Sequence, residues 1–254
     1  MNSTVTLTRV THSCVLIDFG GVTLLTDPWF SEKFGYYRSE PLGIALEDLP
    51  PLAGVLVSHG HYDHYDMEAF KAYRDKTVPF VVKRGIGGAA RKVGFQQISE
   101  LDPWETAQLG PIKVTAVPGS HGVPEITYML EAGGFTIYFG GDTRLIPALR
   151  EIPQRFPQID LALLAINGLM IRPAFNRRDV MSAQEAAELC AIIHPRVAIP
   201  THYAFTGGRI MDRLLLKYNG TPEEFTAAVA QHAPETSVKV LVPGEPFVLT
   251  AASV

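Results

Sequence analysis

Short runs of β-branched and aliphatic residues dominate the start of the chain: VTLTRV at 5–10, CVLIDF at 14–19, VTLLTD at 22–27 and GVLVS at 54–58. Runs of this composition predict strands. The Gly20-Gly21 pair between the second and third runs predicts a hairpin, because glycine accepts the positive φ that a two-residue connection demands. The same device returns at YMLEA, Gly133-Gly134 and FTIYF, after which the chain reads GGDT. Each hairpin ends near an aspartate, Asp27 in one and Asp142 in the other, and the repetition predicts two similar halves.

Helical stretches interleave with these runs. DMEAFKAYRD at 66–75 predicts a helix, and IGGAARKV at 86–93 a weaker one, since its glycines disfavour helical backbone. Ser182 precedes AQEAAELCAII with Glu185 three residues on, a capping box, and His194-Pro195 ends the segment. Thr221 caps PEEFTAAVAQ in the same way, with Pro222 at the first helical position and Glu224 completing the box. VKVLVP and PFVLT predict closing strands. Two strand-rich halves with helices between and after them predict an α/β chain, one domain over 1–254, in which two sheets pack face to face with helices outside.

Two connections, 28–52 and 167–181, are long enough to be functional. The first holds Trp29, Phe30, Phe34, Tyr36 and Tyr37, aromatics suited to a lid or pocket wall and equally to a subunit contact in a homo-oligomer.

Composition narrows the partners. The 254 residues are 46% apolar and 19% charged, enough to bury a full core, and the net charge is -4 with no basic run. That balance disfavours nucleic acid and anionic membrane, leaving a small molecule as the expected partner. MNSTVTLTRV lacks the charged start and apolar stretch of a signal peptide, and no window reaches the length of a membrane span, so no membrane anchor and a cytoplasmic location are expected. Cys14 and Cys190 have no CxxC neighbour and read as buried reduced thiols.

The chemistry concentrates in SHGHYDHYD at 58–66, where His59, His61, Asp63 and His64 follow a strand directly. Gly60 lets the backbone fold tightly enough for neighbouring imidazoles to converge. Imidazole and carboxylate donors suit zinc or another first-row divalent ion, and four of them would crowd one ion, so two adjacent ions are the better fit. Further candidates stand just past strand-like runs: His121 after IKVTAVPGS, Asp142 after FTIYFGG and His202 after RVAIPT. His194 and His232 instead lie at helix C-termini, where the helix dipole accounts for them. A ligating histidine usually gives its other ring proton to an acceptor, and Asp27 in TLLTDPW is placed for that role or for an ordinary turn before Pro28.

His59-x-His61-x-Asp63-His64 followed by His121, Asp142 and His202 resembles the metallo-β-lactamase superfamily over essentially the whole chain. The resemblance implies the four-layer αββα sandwich. It implies His59, His61 and His121 on one metal ion, Asp63, His64 and His202 on the other, and Asp142 bridging. The ions implied are two divalent cations, zinc first, with manganese or iron as alternatives. A hydroxide held between such ions would attack an ester, lactone or phosphodiester bond of a small substrate, with an anionic one a candidate.

The opening THSCVLIDFGGVTLLTDPWF resembles the ascorbate-6-phosphate lactonases and the N-acyl phosphatidylethanolamine phospholipase D enzymes. On that likeness His12 contacts substrate, and His12 and Asp63 are the catalytic candidates. Arg144, together with Arg172, Arg177 and Arg178 in IRPAFNRR, offers a guanidinium clamp for an anionic group or else a solvated surface, and Trp29 is a candidate substrate contact. Two competing readings are a di-iron oxygen or nitric oxide reductase of the same fold and a non-catalytic metal-binding protein.

Overall fold

The computed structural model of the chain describes residues 4–251, so the first three residues of the N-terminal segment lie outside the described residues. One sheet runs in the order Pro246–Thr250, Thr4–Thr11, Cys14–Asp18, Thr23–Thr26, Gly54–Val57, Phe80–Lys83, Ile98–Leu101. Its first four strands pair antiparallel and the remainder parallel. The second sheet repeats the plan: Thr106–Leu109, Ile112–Pro118, Ile126–Ala132 and Phe135–Phe139 are antiparallel, then Ile159–Ala165, Pro195–Thr201 and Ser237–Val238 continue in parallel. The two glycine-pair hairpins occupy equivalent places in the two halves. The first half borrows its outermost strand, Pro246–Thr250, from the far end of the chain.

Three apolar layers hold these sheets. Leu7, Ile17, Leu24 and Leu56 of the first sheet pack against Val114, Tyr128, Ile137 and Leu163 of the second. On the outer face of the first sheet Leu25, Val55 and Val82 meet Met67, Phe70, Ala90 and Phe95. On the outer face of the second, Tyr138, Ala162 and Leu164 meet Ala186, Leu189, Cys190, Phe225 and Val229. The layers therefore read helix, sheet, sheet, helix, the αββα sandwich. Strands covered on both faces need no polar side, which is why GVLV at 54–57 and LALLA at 161–165 lack alternation.

Helix ends follow their caps. Ser182 and Glu185 complete a capping box at the head of Ala183–Ile193, and Thr221 and Glu224 do so for Pro222–His232. The expected helix over 66–75 is cut to Met67–Phe70, because the Lys76 ammonium donates to the carbonyls of Phe70 and Lys71 and ends the turn there. The weaker segment keeps only Gly88–Lys92. VKVLVP forms a strand only at its start, within Ser237–Val238. Beyond it, buried Arg9 draws the chain out of the sheet: its Nε donates to the Leu241 carbonyl while its guanidinium pairs with Glu40.

Both cysteines are buried. Burial pushes the Cys14 thiol far up and the Cys190 thiol up to about 12, so thiolate is scarce at neutral pH. A disulfide reagent such as Ellman's is expected to leave the native protein untouched and to titrate both thiols after denaturation; rapid labelling of the native protein would contradict this packing.

Candidate metal centre

Every candidate donor sits at a strand tip on one edge of the sandwich. Asp27 follows Thr23–Thr26, Ser58 to His64 follow Gly54–Val57, His121 follows Ile112–Pro118, Asp142 follows Phe135–Phe139 and His202 follows Pro195–Thr201. His12 lies in the turn between Thr4–Thr11 and Cys14–Asp18. His12, Asp27 and His202 adopt left-handed φ values of 45°, 33° and 59°, uncommon for side-chain-bearing residues and typical of backbone held by its function.

Two donor groups converge at this edge. In the first, His59 Nε2 and His121 Nε2 each stand 3.0 Å from His61 Nδ1. The far side of each ring is fixed. His121 Nδ1 lies 2.7 Å from the Asp179 carbonyl, which can only accept, so its proton is there and the Nε2 lone pair faces inward. His59 Nδ1 is 2.9 Å from Ser58 Oγ, whose hydroxyl in turn donates to Asp27 Oδ2 at 2.7 Å.

The second group comprises His12, Asp63, His64 and His202, whose donor atoms all lie within 4.8 Å of one another. His64 Nδ1 donates to Asp27 Oδ2 at 2.7 Å, which turns its Nε2 toward the group. Asp27 thereby serves both groups, through Ser58 to His59 and directly to His64. Asp142 stands between them. Its Oδ2 is 2.7 Å from His202 Nε2 and 3.2 Å from His64 Nε2 on one side, and 3.8 Å from His59 Nε2 and 3.9 Å from His121 Nε2 on the other. Burial opposes its charge, but the charges of His202 and His64 outweigh this and hold its carboxyl well below the usual range.

The donor chemistry fits divalent cations. Both nitrogens of His12, His64 Nε2, Asp63 Oδ1 and Asp142 Oδ1 are buried without a hydrogen-bond partner. Each orphaned group costs about 1–3 kcal/mol in a closed protein, a cost that ligation removes. Nitrogen and carboxylate oxygen donors are those of zinc, manganese and iron.

The candidate substrate contacts fare differently from one another. His12 is fully buried, its Nε2 3.6 Å from Asp63 Oδ2, too long for a hydrogen bond, with its ring centroid 4.0 Å from that of His202. Burial and the neighbouring His202 push its pKa down to about 3, so the ring is neutral. Trp29 is also fully buried, beneath Phe205 and His12. Arg177 lines the cleft. Arg144 donates to Ser120, Arg172 to the Leu216 carbonyl and Arg178 to Glu185, and none of the three reaches the cleft wall. In the aromatic connection, Gly35 and Tyr36 line the cleft while Phe34 stays exposed.

Two residues escaped the sequence reading. Glu125, buried behind the centre, accepts the Asp142 N–H at 2.6 Å; burial and the Asp142 charge push its carboxyl well above the usual range. Its signal was a lone charge heading the apolar strand Ile126–Ala132. Asp179, whose carbonyl orients His121, had no signal beyond its place in a long connection. Gly141 is equally constrained, with φ 51° and only 2.7 Å from a Cβ there to Glu125 Oε1. Gly141→Ala is expected to lower unfolding free energy by about 2 kcal/mol or more in urea denaturation, from strain and overlap together; an unchanged midpoint would contradict the tight seat drawn for Asp142.

A doubly repeated sheet plan with helices outside and seven His and Asp side chains gathered at strand tips defines the metallo-β-lactamase class. The chain belongs to that superfamily: a family described as the beta-lactamase superfamily domain matches residues 23–203. A metal-dependent hydrolase from Anaeromyxobacter dehalogenans is 28% identical over 246 residues, 89% of this chain and 80% of that protein. An N-acyl-phosphatidylethanolamine-hydrolyzing phospholipase D from Caenorhabditis elegans is 29% identical over 224 residues, 76% of this chain and 62% of its own. Among solved structures, an isothiocyanate hydrolase from Delia radicum gut bacteria superposes with a TM-score of 0.77 at 19% identity, covering 97% of this chain and 100% of that one. The di-iron β-hydroxylase of Streptomyces venezuelae superposes at 0.75 and 18% identity, covering 99% and 55%. At such identities these two structures show a shared fold.

Proposed function

We propose that this protein is a metal-dependent hydrolase that uses two adjacent divalent ions, zinc first, to cleave an ester, lactone or phosphodiester bond of a small molecule. The observation that carries the reading is the position of Asp142 Oδ2, within 4 Å of donors from both groups. His59, His61 and His121 would hold one ion, and Asp63, His64 and His202 the other, with Asp142 shared. Ions held there supply Lewis acidity and an activated water next to the bond to be cleaved. Asp27 and Ser58 fix which ring nitrogens carry protons, so lone pairs face the ions before substrate arrives. Asp63 lines the cleft, and its carboxylate oxygen not spent on the ion would be placed to receive a proton there.

His12 takes a different part from the substrate contact its sequence context suggested. Fully buried, neutral and unpartnered at both nitrogens, it is a fourth donor in the second group. In cobalt-substituted protein, His12→Ala is expected to weaken the second ion about 10- to 100-fold and to change the visible cobalt band. An unchanged band and affinity would leave His12 a packing residue.

The reading as a whole is tested on purified protein stripped with a chelator. Turnover of a panel of esters, lactones and phosphodiesters should vanish on stripping and return with two equivalents of zinc or manganese. Turnover indifferent to chelation would contradict it.

A further inference from the structure

The cleft that opens on the metal centre has a volume of about 300 Å³ and a floor that includes His61, Asp63, His121, Asp142 and His202. Its wall is another matter. Tyr36, Leu169, Ile171, Phe205, Met211 and Leu216 supply it, from three separate segments of chain. Two-residue ladders pin these segments together: Tyr37–Arg38 pairs with Phe205–Thr206, and Met170–Ile171 pairs with both Arg177–Arg178 and Leu216–Lys217. The wall is thus built from tied backbone. Phe205 sits at its centre, with ring centroids 5.8 Å from Tyr36 and 6.2 Å from Trp29.

Arg177 is the only cation on this wall among the described residues, and it is already matched. Its terminal nitrogen donates to Asp179 Oδ2 at 3.1 Å and its Nε lies 2.9 Å from Oδ1, an ion pair that offsets its charge. Arg144, Arg172 and Arg178 do not line the cleft, so among the described residues no unpaired guanidinium stands on its wall to meet a phosphate or carboxylate. A charged group placed against leucine, isoleucine and methionine would lose its hydration without a partner.

Resting on the hydrolase reading above, we propose that the substrate is an uncharged carboxylic ester or lactone whose non-reacting arm is apolar and lies along this wall. The ester bond is cleaved by water to acid and alcohol, and the arm's burial supplies selectivity. Met211, unbranched and packed within 3.1 Å of a Cβ position on Gly35, lets the wall adapt to arms of different shape.

The test uses full-length zinc-loaded protein and p-nitrophenyl esters with acetyl, butyryl, hexanoyl and octanoyl arms, alongside a hexanoyl arm ending in a carboxylate. The kcat/KM is expected to rise by roughly two- to fourfold per methylene, the yield of burying a methylene in part or in full, and to fall at least tenfold for the carboxylate-ended arm. Leu169→Asn and Leu216→Asn should flatten the rise. A flat series, or preference for the charged arm, overturns the inference while leaving the hydrolase reading standing. Absence of all turnover overturns that reading instead; calorimetry with alkyl hydroxamic acids, whose head binds metal, then decides the wall separately. Affinity rising with alkyl length supports the apolar site, and length-independent affinity or no binding overturns it.

Discussion

Asp142→Ala is expected to cut turnover and bound metal together. Its Oδ2 lies within 4 Å of ring nitrogens of His59, His64, His121 and His202, so deletion removes the donor that the two groups share and the carboxylate between their imidazoles. Like-charged or lone-pair-bearing groups at such separations repel once the acid between them is gone. Loss of kcat/KM on the order of a thousandfold or more, about 4 kcal/mol of transition-state stabilisation, should accompany a fall in bound metal below two equivalents. Elemental analysis and steady-state kinetics on one preparation check both, and circular dichroism confirms that the variant is folded. Retention of two ions with full turnover would remove Asp142 from the centre.

Asp27→Asn is the second large effect, and it acts one shell further out. The carboxylate is fully buried and receives three donors: the Ser58 N–H on Oδ1, and the Ser58 hydroxyl and His64 Nδ1 on Oδ2, each at 2.7 Å. An amide offers one oxygen and one NH₂, so whichever way it turns, a donor faces a donor. Stability should fall by about 2–3 kcal/mol from the broken buried hydrogen bonds. Metal affinity should fall about 10- to 100-fold, since the rings of His59 and His64 lose the partners that set their protonation. Urea denaturation of the stripped protein isolates the first quantity and competition with a chelator the second. Unchanged values in both would reduce Asp27 to a turn residue before Pro28.

Much of this arrangement was legible because the physics involved is local. Glycine pairs mark hairpins through their φ values, Ser182 and Thr221 mark helix starts through the N–H groups they satisfy, and SHGHYDHYD places four donors on one short loop. What failed depended on distant partners. The helix after Asp66 was cut short by Lys76, and VKVLVP left its sheet because Arg9, more than two hundred residues away, holds the Leu241 carbonyl. The arginines illustrate the same limit: IRPAFNRR reads as a cationic loop, yet Asp179 and Glu185 neutralise two of its members and the Leu216 carbonyl occupies the third. Counting charges along a chain cannot show which are already paired. Glu125 was missed for a related reason, since its place behind Asp142 follows from the pairing of two strands and a tight glycine turn.

The most direct measurement is anomalous diffraction from crystals of metal-loaded protein, collected on both sides of the zinc, manganese and iron absorption edges. Two peaks about 3.5–4 Å apart are predicted, one among His59, His61 and His121 and the other among His12, Asp63, His64 and His202, with the Asp142 carboxylate between them. A single peak, or none within this ring of side chains, would contradict the account.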